Sequence, residues 1–264
     1  MSLSTPIALG FTAEIYAWKN GQVLKLFNQG CSRATLETEA ELTSMAYAAG
    51  IPVPAVGEIL ELEGRYGLVY ERIDGLSMLQ ALVKQPWKFV VFARQLAVLQ
   101  AAMHKIRVPE MLSQRDRLAG KIRRARLLSE NLRQAALEAL DQLPQDDKLC
   151  HGDFHPGNIL LAGRGPVIID WIDASRGNPL MDVARSTLLF GGGPIPPGTP
   201  GAPMIRLLRR WFYLVYIRRY GKLYPFDRKQ LSKWIPVAAA ARLDENITMD
   251  EGRLLSIAQT LMRK

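Results

Sequence analysis

Four side chains able to do chemistry fall within eight positions of the stretch LCHGDFHPGNILL (149–161): His151, Asp153, His155 and Asn158. A further carboxylate, Asp170, closes the next apolar run, VIID. The pattern ILL, then AGRGP, then VIID predicts a hairpin turning at Arg164, with Asn158 opposite Asp170 at its open end. Antiparallel partners stand about 5 Å apart at the backbone. An amide oxygen and a carboxylate would then meet on one short scaffold, with Asp153 in the loop just before it. Hard oxygen donors of this kind suit Mg²⁺, which keeps several waters and is completed by substrate phosphates. A His–Asp–His hydrolase centre is the competing reading, since imidazole and carboxylate suit Zn²⁺ or Mn²⁺. The only other histidine is His104, on an otherwise apolar helical face, which leaves that centre short of nitrogen ligands.

Other elements must position these groups. EIYAW and QVLKLF flank Lys19-Asn20-Gly21, and Asn-Gly between apolar runs predicts a two-residue hairpin loop that sets Lys25 opposite Tyr16. Residues 33–50 read as a helix ending at Gly50, followed by IPVP, which cannot continue one. VGEILELEG and RYGLVYERI predict two more strands joined at Glu63-Gly64. Beyond Asp74-Gly75 the chain is mostly helical: Phe92, Leu96, Leu99, Met103 and Ile106 keep helical spacing, and 115–142, 203–220, 228–242 and 250–262 are further helical stretches. Residues 191–203 form a Gly/Pro loop without a motif.

The formal charge of +9 is unevenly spread. Residues 1–74 carry five basic against nine acidic side chains, and 75–264 carry 29 against 16. Two bodies with different surfaces follow, 1–74 and 75–264. Every long apolar stretch is broken by Lys or Arg, the N-terminus lacks a secretory pattern, and Cys31 and Cys150 have no metal or redox spacing. A reduced cytoplasmic protein without a membrane partner is the simplest expectation.

Asp153 and Asn158 have the five-residue spacing of the catalytic-loop Asp and metal-binding Asn of protein kinases, and Asp170 follows the next strand pair. The chain resembles the aminoglycoside phosphotransferase and choline kinase family, small-molecule relatives of the protein kinases. HGDFHPGNILL resembles its catalytic loop, VIIDWIDASRGNPLMDVA its second signature, and GFTAEIYAWKNGQVLKLF with GIPVP its first lobe. The resemblance implies an α/β (α+β) two-lobed, protein-kinase-like fold. A small lobe, 1–74, would hold a five-stranded antiparallel sheet with one helix, and a larger, mainly helical lobe would follow. Nucleotide would bind in the cleft between them. It implies ATP and Mg²⁺ as cofactors and transfer of the γ-phosphoryl group to a hydroxyl of a small molecule such as an amino alcohol, amino sugar, thiamine-like or aminoglycoside-like compound.

By the same resemblance, Asp153 is the base or orienter for that hydroxyl, and Asn158 and Asp170 bind metal. Lys25 reaches the α/β phosphates. Glu39 holds Lys25, with Glu37 and Glu41 as rivals. Glu71 to Ile73 read adenine through their backbone, and Gly10 to Ala13, including Thr12, arch over the phosphates. Two alternatives stand beside this: a nucleotide-binding protein without transfer activity, and a basic RNA- or polyanion-binding module using the arginine-rich run 115–133. That run has no interleaved aromatic residue to stack a base, so a solvated helix face is favoured and nucleic acid is not the expected partner.

Overall fold

Period-two alternation in QVLKLF sends Leu24 and Leu26 to one face of a strand and Val23, Lys25 and Phe27 to the other. The computed structural model describes residues 5–10, 12–192, 195–196 and 198–263. In chain order the first elements are β1 (Ala8–Leu9), β2 (Ala13–Trp18), β3 (Gln22–Phe27), α1 (Arg33–Ala48), β4 (Val56–Leu62), β5 (Arg65–Glu71), β6 (Gly75–Ser77) and α2 (Met78–Lys84). Then come α3 (Phe89–Met103), α4 (Gln114–Arg124), α5 (Glu130–Gln142), β7 (Lys148–Cys150), β8 (Ile159–Ala162), β9 (Gly165–Ile168) and β10 (Ser175–Gly177). Four helices complete it: α6 (Pro179–Gly192), α7 (Ala202–Leu223), α8 (Arg228–Arg242) and α9 (Thr248–Ala258).

The chain divides into two compact units, 1–81 with 156–173, and 82–155 with 174–264. This differs from a single cut at 74/75 because the β8–β9 hairpin groups with the first unit. There the five-stranded antiparallel sheet has the order β1-β2-β3-β5-β4. One sheet face packs Phe27, Leu68 and Tyr70 with Leu36 of α1, and the other clusters Tyr16, Leu24, Leu26 and Val69. Ser32 caps α1 through the Thr35 amide, and Gly50 ends the segment at φ +81°. A three-stranded sheet, β6-β8-β9, completes the unit.

Both hairpin registers differ from the sequence expectation by one residue. The β2–β3 loop is the three-residue turn Lys19–Gly21, closed by Trp18↔Gln22, so Lys25 pairs with Ile15 and Tyr16 with Leu24. Gly21 takes the left-handed position, φ +68°, at the end of that loop. In the β8–β9 hairpin Gly163-Arg164 form the loop, Ile159 pairs with Ile168, and the Asn158 carbonyl accepts the Ile169 amide at 3.0 Å. Asp170 therefore stands one residue beyond the position facing Asn158.

The second unit is helical apart from the β7–β10 pair. Helix α3 packs on α7, α6 on α8, and α8 on α9. The expected single helix over 115–142 is two helices. Arg133 bends back to donate to the carbonyls of Ile122, Arg123, Ala125 and Leu128, and Ser129 caps the next helix. These contacts close the end of α4 that a continuous helix would have satisfied itself. The arginine-rich run is thus partly internal structure: Arg115 holds the Leu143 carbonyl and Arg124 pairs with Asp244. Of the 191–203 loop, Gly193, Pro194 and Pro197 lie outside the described residues, as does Phe11 of the expected phosphate arch.

Gly75 illustrates how tightly β6 meets β8. A Cβ there would stand 2.4 Å from the Leu161 carbonyl oxygen, a backbone atom that cannot swing away. Gly75→Ala should lower stability by about 1–3 kcal/mol in denaturant titration, whereas Gly163→Ala, with open space around it, should be near neutral.

Candidate active site

Lys25 lies on the face of β3 that meets α1. There the buried stripe Leu36, Glu39, Thr43, Ala46 repeats at helical spacing. Glu39 is the one acid in that stripe, and its carboxylate accepts the Lys25 ammonium at 2.7 Å and the Tyr70 hydroxyl at 2.9 Å. Glu37 instead pairs with Arg33 on the exposed side, and Glu41 is exposed. Asp170 Oδ1 takes Lys25 from the other direction at 2.9 Å. The ammonium also lies 5.0 Å from the centre of the Phe27 ring. Burial works against the Lys25 charge, but Glu39 and Asp170 outweigh it and hold the ammonium above its ordinary value. Burial pushes the Glu39 carboxyl upward, and its Oε2 has no hydrogen-bond partner.

Asp170 is aimed by the backbone. It sits at φ +68°, in the left-handed region that Asp tolerates better than most side chains. On either side the chain is pinned: the Ile168 amide donates to the Pro52 carbonyl, and the fully buried Trp171 donates its indole N–H to the Ile168 carbonyl. Asn158 is buried and Asp170 is about one-third exposed, at 37%. Both offer oxygen, so the donor set fits a hard cation such as Mg²⁺.

The adenine-reading segment proposed from sequence has its side chain engaged elsewhere. Glu71 chelates Arg164 at 2.6 and 2.9 Å and accepts the Ala55 amide, and Arg164 holds its carboxyl below the usual range. Ile73 follows in open chain, half-buried. At the other edge, the Gly10 amide donates to the Ala13 carbonyl and Thr12 accepts the Asn28 amide through its own carbonyl.

In the second unit, Asp153 is held by three groups. Arg185 donates Nε and Nη2 to its Oδ1 at 3.1 and 2.8 Å, and His155 Nε2 lies 3.5 Å from Oδ2. The Asp153 amide donates to His151 Nδ1. Burial would raise the Asp153 carboxyl, but the Arg185 guanidinium and His155 overcome it and hold the group well below its ordinary range. The loop entering Asp153 is anchored on Asp182, which accepts the amides of His151 at 2.9 Å and Gly152 at 2.7 Å. Burial opposes the Asp182 charge too, yet His104 and His151 keep its carboxyl below the usual value. His104 meets Asp182 through Nε2 at 3.2 Å and the Tyr220 hydroxyl through Nδ1 at 2.7 Å, so both nitrogens of this buried imidazole are partnered. Together with Cys150 it forms a buried His–Cys–Asp trio. The oxygens of Asp182 and both His104 nitrogens are occupied by these bonds, and burial pushes the Cys150 thiol up.

Sequence reasoning missed Arg185 and its pairing with the acids behind it. Arg185 also donates to Glu245, Glu245 meets Arg242, and Arg242 reaches Asp250, which Arg253 clasps. Only the phase of α6 could have pointed to Arg185, since Asp182 and Arg185 are three residues apart and share a face. Removing the guanidinium strands a carboxylate that is three-quarters buried. Arg185→Met should cost about 3 kcal/mol at neutral pH, and Asp153→Asn added to it should restore part of that loss. The wild-type advantage is full above the unfolded value of 3.8 and fades as pH falls through the lower folded value. Denaturant titrations across acid pH check both points.

The Phosphotransferase enzyme family profile (APH) matches residues 4–225. No curated protein matches the chain in sequence. Three solved structures show the same fold. A thermostable mutant of aminoglycoside phosphotransferase APH(4)-Ia, in ternary complex with AMP-PNP and hygromycin B, is 17% identical, with 99% of this chain and 94% of that chain covered and a TM-score of 0.65. Amicoumacin kinase in complex with AMP-PNP, Ca²⁺ and Ami is 14% identical over 97% and 87%, with a TM-score of 0.63. A choline/ethanolamine kinase family protein from Mesorhizobium loti is 16% identical over 100% and 89%, with a TM-score of 0.60. The matched region carries Lys25, Glu39, Asp153, Asn158, Asp170, Asp182 and Arg185, and by that match the chain belongs to the phosphotransferase enzyme family.

Proposed function

We propose that the protein is an ATP-dependent kinase that transfers the γ-phosphoryl group to a hydroxyl of a small molecule in the cytoplasm. The observation that carries this reading is Lys25 held charged between Glu39 and Asp170, in a chain whose HGDFHPGN loop carries the ionised Asp153. Complexes of two relatives with AMP-PNP support the nucleotide, and Ca²⁺ in one of them supports a divalent ion. The nucleotide-handling groups, Gly10, Thr12, Lys25, Glu39, Glu71 and Ile73, belong to residues 1–74. The acceptor- and metal-handling groups belong to 75–264.

Lys25 would present a fixed ammonium to the phosphates, and Glu39 would keep it from collapsing onto Asp170 alone. Asn158 and Asp170 would hold Mg²⁺, which when bound neutralises charge on the phosphate oxygens. Glu71 to Ile73 would meet adenine through backbone groups, since the Glu71 carboxylate is already bound to Arg164. Asp153 would accept a hydrogen bond from the acceptor hydroxyl. A carboxyl held well below its ordinary range is a weak proton acceptor, so its main work is to orient the hydroxyl for in-line attack. That suits phosphoryl transfer, in which positioning and charge stabilisation dominate.

The named relatives act on chemically different acceptors, an aminoglycoside and amicoumacin among them. The acceptor here is an amino- or sugar-type alcohol to be found by screening such compounds for ATP consumption and measuring product mass. Asp153→Ala should fold and bind ATP while kcat falls by about 10²-fold, the scale of a lost positioning contact; near wild-type turnover would remove Asp153 from the mechanism. Asn158→Ala should lose activity that excess Mg²⁺ partly restores. Glu39→Gln should weaken nucleotide use, and Glu37→Gln should not.

A further inference from the structure

Helices α3 and α7 pack against each other, and each turns an apolar stripe outward. On α7, Met204, Leu207, Trp211 and Leu214 are all exposed and recur at three- and four-residue steps along one face. On the α3 side, Trp87 in the preceding turn, Val91 and Val98 do the same. Trp87 is 72% and Trp211 52% exposed, an unusual placement for the largest apolar side chain.

The charge carried by these two segments has one sign. No Asp or Glu occurs from Gly75 to Pro109, or from Val183 to Phe226. Exposed Arg206, Arg210 and Arg218 line the α7 stripe, and Lys88, Arg94 and Lys105 line that of α3. Exposed aromatic and aliphatic side chains framed only by cations are the composition of a helix face that lies in a lipid interface. A second copy of the chain would set cations against cations, which like-charge repulsion disfavours. A nucleic acid would meet the arginines but offers nothing to Leu207, Leu214, Val91 and Val98.

We propose that the outward stripe of α7 docks peripherally on an anionic phospholipid surface, with Trp211 seated at the headgroup level and Trp87 of the α3 stripe as a separate contact. This departs from the expectation of no membrane partner. It requires no span, and no helix among the described residues is long and apolar enough to cross a membrane. None of the residues involved belongs to the site of the proposed reaction, so the inference stands or falls apart from it.

Vesicle flotation tests it. The wild-type chain should float with vesicles containing phosphatidylglycerol, remain behind with phosphatidylcholine alone, and release as salt is raised. Leu207→Ser with Trp211→Ser should cut flotation several-fold at an unchanged melting temperature. So should Arg206→Ser with Arg210→Ser, and Trp87→Ser gives a separate reading from outside α7 should either pair misfold. No flotation with phosphatidylglycerol, or flotation indifferent to all three changes, would overturn the proposal. So would a dimer in sedimentation that the tryptophan changes dissociate, or RNA binding that they abolish.

Discussion

A single ammonium ties together three parts of the first unit that are far apart in sequence. Lys25 comes from β3, Glu39 from α1, and Asp170 from the turn after β9. Taking such a charge out of water is unfavourable by several kcal/mol unless it is paired well. The pairing with two carboxylates meets that condition and, in doing so, dictates the phase of α1, the register of β3 and the direction of the chain after Ile168. Tyr70 extends the constraint to β5 through Glu39. The arrangement is poised more than it is sealed, because Glu39 Oε2 is left without a hydrogen-bond partner. Under the proposed nucleotide-binding role, Glu39 would be held in place yet open to rearrangement.

The second unit solves a similar problem with a chain of alternating charges. Asp153, Arg185, Glu245, Arg242, Asp250 and Arg253 follow one another in space. Each ion is matched by the next, so the stabilisation of the Asp153 carboxylate is shared with helices α6, α8 and α9. A shape set by such a relay is harder to shift than one set by a lone pair. The loop before Asp153 hangs on Asp182 by two backbone amides, and Asp182 in turn leans on His104 and Tyr220.

Much of this was legible in the residues, and the failures have physical causes. Strand and helix positions in the first unit follow from alternation and from the Glu63-Gly64 and Gly50 signals. The oxygen-donor set follows from the types at Asn158 and Asp170. Both hairpin registers slipped by one because loop length was misjudged: Asn20-Gly21 read as a two-residue loop belongs to a three-residue turn, and the turn centred on Arg164 is the two-residue loop Gly163-Arg164. A slip of one reverses which face a side chain takes, so Lys25 was matched with the wrong neighbour although its helix partner was named. Glu39 could be separated from Glu37 and Glu41 by the phase of Leu36 and Ala46. The break at Ala125 could not be read, since it depends on Arg133 folding back on carbonyls eight to eleven residues earlier. Arg185 was invisible for the same reason, its meaning lying 32 residues away at Asp153.

Asp170 in the left-handed region has a consequence for how this protein would decay if its activity ceased to matter. A non-glycine residue held there carries conformational strain of about 1 kcal/mol or more, kept only because the carboxylate must point where it does. Glycine at this position would relieve the backbone but would also take from the buried Lys25 ammonium one of its two carboxylate partners. Strain and ion pairing oppose each other there. A chain freed from selection on turnover would therefore still be held to a carboxylate at position 170 by Lys25, and the position would outlast the chemistry.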